Sequence, residues 1–138
     1  MAITSVNGVN VQHHQYSVGL HNVGSYQVSG IPFVSGNLNS SSGIVTVTFP
    51  YVTQWVQIIN HDSAELSCSF SRNGMNSNNL FKIHQTHGSN EGEYAPALHV
   101  KCTEMHFTGS TDFDVIAGLT NISINQIPTN WSGSTGVG

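Results

Sequence analysis

From Ile44 to Ile124 the chain runs in short blocks whose apolar residues recur at every second position, separated by turns rich in Asn, Gly and Ser. A period of two sends alternate side chains to opposite faces of an extended strand, so each block has one face to bury and needs partners in a sheet. IVTVTF (44 to 49) sets Val45, Val47 and Phe49 against Thr46 and Thr48. ELSCSFS (65 to 71) sets Leu66, Cys68 and Phe70 against Glu65, Ser67, Ser69 and Ser71. WVQII (55 to 59) is apolar at nearly every position, the pattern of a strand covered on both sides. LFKIH (80 to 84) begins a further strand after the irregular turn NGMNSNN (73 to 79). ALHVKC (97 to 102) puts Leu98, Val100 and Cys102 on one face, whereas Met105 and Phe107 fall on the opposite parity, which a bulge or a bend between sheets near Thr103 reconciles. FDVIAGLTNISI (113 to 124) predicts two short strands broken at Gly118. About seven or eight strands at this spacing, with no helical period among them, predict an all-β fold: an antiparallel β-sandwich of jelly-roll type. It spans residues 44–125, with Val45, Val47, Phe49, Leu66, Cys68, Phe70, Leu98 and Val100 in its core.

The flanks differ in kind. Residues 1–43 are polar and almost uncharged, and their apolar residues Tyr16, Val18, Leu20, Tyr26 and Val28 are interrupted repeatedly by glycine. Such a segment is too sparse to build a core, but it can extend and pair its edges. It reads either as a first hairpin of the same sandwich or as an arm that adds a strand to a neighbouring subunit. We take the second reading, with those five residues as contacts. Residues 126–138 form a Gly- and Ser-rich tail in which Trp131 is the expected anchor and capsid or subunit contact.

Composition narrows the function. Of 138 residues, three are Lys or Arg and seven are Asp or Glu. With Arg72, Lys82 and Lys101 as its cations, the chain lacks the basic footprint that phosphate backbones require, so nucleic acid is not expected as a partner. Low charge also weakens long-range steering, and partners are expected to be held by apolar contacts and backbone hydrogen bonds. No segment approaches transmembrane length, and the opening MAITSVNGVN has neither the basic start nor the apolar run of a signal peptide. A cytoplasmic origin is expected, with no membrane partner. In that compartment Cys68 and Cys102 are expected as reduced, buried thiols, and the sequons at Asn39, Asn121 and Asn130 have no consequence.

Candidate chemistry is thin. Eight histidines include the spacing His84-x-x-His87, but a metal site needs three or four converging ligands and no Cys pair or HExxH pattern supplies them. His99 shares an outward face with Lys101, and His13 and His14 fall in the arm. His61, Asp62 and Ser63 carry the atoms of a hydrolytic triad, yet consecutive turn residues cannot take its geometry. Asp112 and Asp114 flank a turn, and Glu91 with Glu93 falls short of a calcium shell. No catalytic residue, metal site or cofactor is expected, and the chain reads as non-enzymatic.

The segments SVGLHNVGSYQVSGIPFVSG, FPYVTQWVQIIN, LSCSFSRNGMNSNNLFKI and LHVKCTEMHFTGSTDFDVIAGLTNI resemble, in order, the arm and strand blocks of small virion proteins of tailed bacteriophages, particularly those of marine and cyanobacterial hosts. The similarity spans most of residues 17 to 124 and brings no catalytic residues with it. It implies a structural protein made in the infected bacterial cytoplasm and incorporated into the virion. A decoration or cement protein on the capsid surface is the role expected. Its partners would be the major capsid protein and further copies of itself, a trimer at local three-fold axes fitting the closed symmetry of such assemblies. The competing expectation is a tail or neck component that binds a receptor or glycan, for which Trp55, Tyr51 and the NGMNSNN loop are the candidate residues.

Overall fold

A computed structural model describes residues 18–21, 23, 30–85 and 95–138, together with the backbone of 3–6 and 9–12. Tyr16, Tyr26 and Val28, like His13, His14, His87, Glu91 and Glu93, lie outside the described residues. Nine strands are assigned within them: β1 (Ile3–Val6), β2 (Val9–Gln12), β3 (Ile31–Leu38), β4 (Val45–Thr48), β5 (Thr53–Asn60), β6 (Leu66–Ser69), β7 (Phe81–Ile83), β8 (Glu104–Thr108) and β9 (Phe113–Leu119). β1 and β2 pair as a hairpin. The other seven form two antiparallel sheets, β3-β9-β5 and β4-β8-β6-β7. Among the described residues no helix is long and apolar enough to cross a membrane.

The two sheets close on one apolar core, as the alternation predicts for a β-sandwich. Val47, Phe49, Leu66 and Cys68 are fully or almost fully buried, and Val45, Phe70 and Val100 pack against them from the margin. Leu98 is half-buried. Aromatic pairs join the sheets: Phe33 meets Phe49 edge-on at 5.0 Å between ring centres, and Phe107 meets Phe113 at 4.9 Å. Each such pair adds about 0.5–1.5 kcal/mol to the area it buries. Cys68 and Cys102 are free, buried thiols, as expected.

The structure departs from the sequence pattern at five places. The sandwich begins at Ile31, not at residue 44, because Phe33 and Ser35 turn inward along β3 and Phe33 joins the core. A register shift between Ser35 and Leu38, with Asn37 in the left-handed region at φ 55°, is what obscured the alternation there. β5 is not covered on both sides: Val56 and Ile58 face the core, while Trp55, Gln57 and Ile59 are half-buried on the outer face. Residues 97 to 102 do not make a regular strand. A single bridge couples Leu98 to Val56 along the margin of β5.

Gly118 does not break β9, which runs on to Leu119; a Cβ at Gly118 would overlap the indole of Trp55 on the neighbouring strand, so glycine is there to admit the ring. Lastly, Ser69 and Ser71 are buried rather than outward-facing, because the 3-10 turn Asn73–Asn76 and the C-terminal segment cover them. Ser69 Oγ donates to the Asn79 carbonyl at 2.9 Å and Ser71 Oγ to the Val137 carbonyl at 2.9 Å. The bend expected near Thr103 is present: Thr53 N–H donates to Cys102 O beside one sheet, and Phe49 N–H donates to Thr103 O where β8 enters the other.

Gly118→Ala is expected to lower unfolding stability by about 1–3 kcal/mol through overpacking against Trp55. The double variant with Trp55→Ala should show a coupling that cancels most of the glycine effect in denaturant melts.

Candidate functional site

The corner at Thr103 leaves several backbone groups without a strand partner, and a buried asparagine supplies them. Asn130 Oδ1 accepts from Thr103 N–H at 2.7 Å and from Thr103 Oγ1 at 3.3 Å. Its Nδ2 donates to the carbonyls of Phe70 and of Glu104, the latter at 3.0 Å. One side chain thereby ties the tail to the ends of β6 and β8. Asn130 is wholly buried and sits at φ 48°, a conformation that Asn tolerates better than other side-chain-bearing residues. The tail anchor is therefore Asn130. Trp131, the expected anchor, is 40% exposed.

Trp131 also lies in the left-handed region, at φ 64°, which is a true outlier for a bulky residue. Its Nε1 donates to the Lys101 carbonyl at 3.3 Å, which sets the ring over a groove of about 320 Å³. Phe70, Val100, Cys102 and Val137 line that groove with Trp131, and His99 and Lys101 complete its border. A second cleft of about 280 Å³ shares His99, Val100 and Lys101 and is also bordered by Thr53 and Gln54. Burial pushes the Cys102 thiol up to about 11, against a smaller lowering by the Thr53 hydroxyl, and burial raises Cys68 as well. Both sulfurs stay neutral and unreactive at physiological pH.

Two polar constellations lie elsewhere. Strand pairing sets Thr46 opposite His106, with Thr46 Oγ1 and His106 Nδ1 2.9 Å apart, and Glu104 Oε1 lies 3.4 Å from Nε2. Hydroxyl, imidazole and carboxylate thus fall in a row on the outer sheet face. The Glu104 contact is close enough for an ion pair but not aligned as a hydrogen bond, since His106 Nε2 is buried without one. Neither groove reaches this row. Sequence reading missed it because residues 46 and 106 meet only through the β4–β8 register.

At the far end of the sandwich His61 Nε2 lies 2.7 Å from Asp114 Oδ2, while Asp114 Oδ1 accepts from Asn37 N–H at 2.9 Å. Burial raises the Asp114 carboxyl, but His61 and the Asn37 amide outweigh that and leave it below its ordinary value. Asp62 and its neighbours form a turn, as expected: Asp62 Oδ2 accepts from Thr111 N–H and Oγ1, both at 2.8 Å. Among the described residues no three His, Cys, Asp or Glu side chains gather as metal ligands, and His84 lies 3.5 Å from Glu65.

The most exposed apolar surface follows the start of the sandwich. Val34 is 69% exposed and Ile31, Val23 and Val18 are also exposed. β3 is the outer strand of its sheet, and no described strand pairs with its far edge. Leu20, by contrast, is committed within its own subunit. It packs on Val52, Ile122 and Ile127, and its N–H donates to Gln126 Oε1 at 3.1 Å.

Comparison with protein families, curated proteins and solved structures found no match.

Asn130→Ala leaves Thr103 N–H and two carbonyls without their partner and is expected to cost about 2–4 kcal/mol in urea unfolding. Asn130→Gly should cost about 1 kcal/mol less, because it relieves the left-handed backbone. For Asp114 the folded carboxyl lies below its unfolded value of about 3.9. Its contribution is present above that pH and is lost as pH falls through the folded value. Asp114→Asn should therefore lower stability by roughly 0.5–1 kcal/mol at pH 7, and the difference from the parent should shrink below about pH 4 in acid melts.

Proposed function

We propose that this chain is a non-enzymatic structural protein of a bacteriophage particle, a capsid decoration or cement protein that binds the outer shell and stabilises it. The observation that carries the reading is the edge of β3. Ile31–Leu38 is eight residues long, carries no charged side chain and exposes Ile31 and Val34, and its edge away from β9 pairs with no described strand. An open edge is a template for strand addition, which proteins blunt with charge, Pro or a bulge; β3 has Pro32 and the shift after Ser35 but no charge. Its retention fits a subunit whose edge is covered in an assembly. The resemblance of most of residues 17 to 124 to small virion proteins points the same way.

In this reading the major capsid protein and neighbouring copies are the partners, the latter as a trimer. The contacts are backbone hydrogen bonds along β3 together with apolar residues of the preceding segment. Each is modest, and repetition over many shell subunits makes attachment durable. Val18, whose side chain is exposed two residues before the half-buried Leu20, is the described residue of the segment best placed to meet a partner.

Quantitative mass spectrometry of purified particles should give a copy number comparable to that of the major capsid protein. A few copies per particle would instead place the chain at the tail or neck, as a receptor-binding module, and absence would overturn the structural reading. Val34→Lys should leave melting unchanged yet reduce binding to bare capsids at least tenfold, since charge on an edge blocks strand addition. Removal of residues 1–17, which spares the Leu20 packing, should also abolish attachment. Saturation of bare capsids by both variants would sink the edge-and-arm mechanism.

A further inference from the structure

We propose that Asp114 is the positioning residue of the β3 edge: its carboxylate latches the Gly36–Asn37 bulge to the sheet, and protonation in acid releases it. The link from latch to partner binding rests on the edge reading above, whereas the latch itself does not.

Composition makes Asp114 conspicuous. Across β3, β9 and β5 it is the one Asp, Glu, Lys or Arg. A charge set into the central strand of an otherwise neutral sheet is costly unless it is paired, so its position asks for a reason.

The strand register supplies that reason. Ser35 lies opposite Val115 and Leu38 opposite Phe113, so two residues of β3, Gly36 and Asn37, face Asp114 alone. That two-to-one count is a β-bulge, and the extra residue of a bulge loses its ladder partner. Asp114 Oδ1 replaces it, accepting from Asn37 N–H at 2.9 Å. Asn37 stands at φ 55°, a conformation that costs Asn less than most residues. A Cβ on Gly36 would sit 3.2 Å from the same oxygen, so glycine leaves the carboxylate its place.

The other oxygen anchors the latch on the far side. Oδ2 lies 2.7 Å from His61 Nε2, and because an ionised carboxylate only accepts, the ring presents Nε2–H. His61 is itself fixed by its backbone: its N–H donates to Asp112 O at 3.0 Å, and its carbonyl accepts from Gln85 Nε2 at 3.1 Å. One side chain in the middle strand thus ties the residue after β5 to the bulge of β3. The bulge also turns Leu38 onto the core, where a period of two would have placed Asn37. Burial of Leu38 resists a change of register, so loss of the carboxylate is expected to loosen residues 36–38 rather than slide the strand. The end of the open edge then frays, and a partner must order it on binding.

Few other charges bear on the latch. β3 has no titratable side chain, and Ile59 stands opposite Asp114 on β5. Asp62 is held by Thr111 and Ala64, Asp112 meets His61 through its carbonyl, and Lys82 and His84 face Glu65. Among the described residues His61 is therefore the titratable partner. Burial raises the Asp114 carboxyl, but His61 and the Asn37 amide leave it below its ordinary value, so the latch holds at neutral pH and opens as pH falls through the folded value.

The test is NMR of the full chain. As pH is lowered from neutrality, the Asn37 amide proton should move upfield with a single midpoint, shared with the Asp114 carboxyl carbon and lying below about 3.9. At neutral pH, Asp114→Ala should speed hydrogen exchange at the Asn37 amide about tenfold or more. Asp114→Asn, which keeps an acceptor oxygen, should stay within about threefold of the parent and abolish the titration. Binding to bare capsids should weaken about three- to tenfold in the alanine variant and be restored by asparagine. The latch is overturned if the Asn37 resonance ignores the Asp114 titration, or if alanine leaves its exchange unchanged. Should the alanine variant fail to fold, the parent titration and the asparagine variant decide. Normal capsid binding by Val34→Lys would remove the edge reading and leave the latch to the NMR result. Loss of binding by Val34→Lys, with full binding by an Asp114→Ala protein whose Asn37 is released, would sever the latch from the edge.

Discussion

Two buried asparagines, one at each end of the sandwich, make the fold closable. A β-sandwich satisfies backbone groups within its strands, but where the chain crosses between sheets those groups lose their ladder and would be buried unpaired. Asn130 supplies Thr103, Phe70 and Glu104 at one end. Asn60 does the same at the other: its Nδ2 donates to the carbonyls of Ala64 and Ile83, and its Oδ1 accepts from Ser110 Oγ at 2.8 Å. An amide is suited to this because it offers donors and acceptors together and carries no charge to desolvate. In this chain neutral amides and hydroxyls make most of the buried polar contacts.

The two ends also differ in what they carry. The Asn130 end has the tail, the exposed indole and the apolar groove. The Asn60 end has the His61–Asp114 pair and the turn that Asp62 holds. Between them, on β4 and β8, lies the Thr46–His106–Glu104 row. The exposed apolar features thus differ in kind: an open backbone edge along β3 and a groove under Trp131 lined from segments that flank the strands.

The sequence made the core legible wherever alternation ran uninterrupted. Val47, Phe49, Leu66 and Cys68 could be placed inward from parity alone, and the parity break between Cys102 and Met105 located the corner at Thr103. It failed where a local signal depended on a partner distant in the chain. Gly118 looks like a strand breaker until Trp55 is seen lying against it. Ser69 and Ser71 look solvent-facing until the C-terminal segment covers them. β3 was hidden because its bulge at Gly36 and Asn37 shifts the register that a period of two would reveal. The site was less legible still. Trp131 drew notice as the aromatic residue of the tail, but the buried member of the pair is Asn130, which in a Gly- and Ser-rich context gives no hydrophobic signal at all.

The bulge in β3 also limits what its open edge can join. Regular pairing runs from Ile31 to Ser35 before the register shifts, a length of about 17 Å, and Pro32 removes one donor from it. An edge that short and punctuated can accept one strand in a defined register, since a slip of a single residue would exchange its faces. It offers no continuous ladder along which strands could stack without end. If the edge is the contact proposed above, the irregularity that conceals the strand in the sequence also works as a stop, confining the pairing to one short segment.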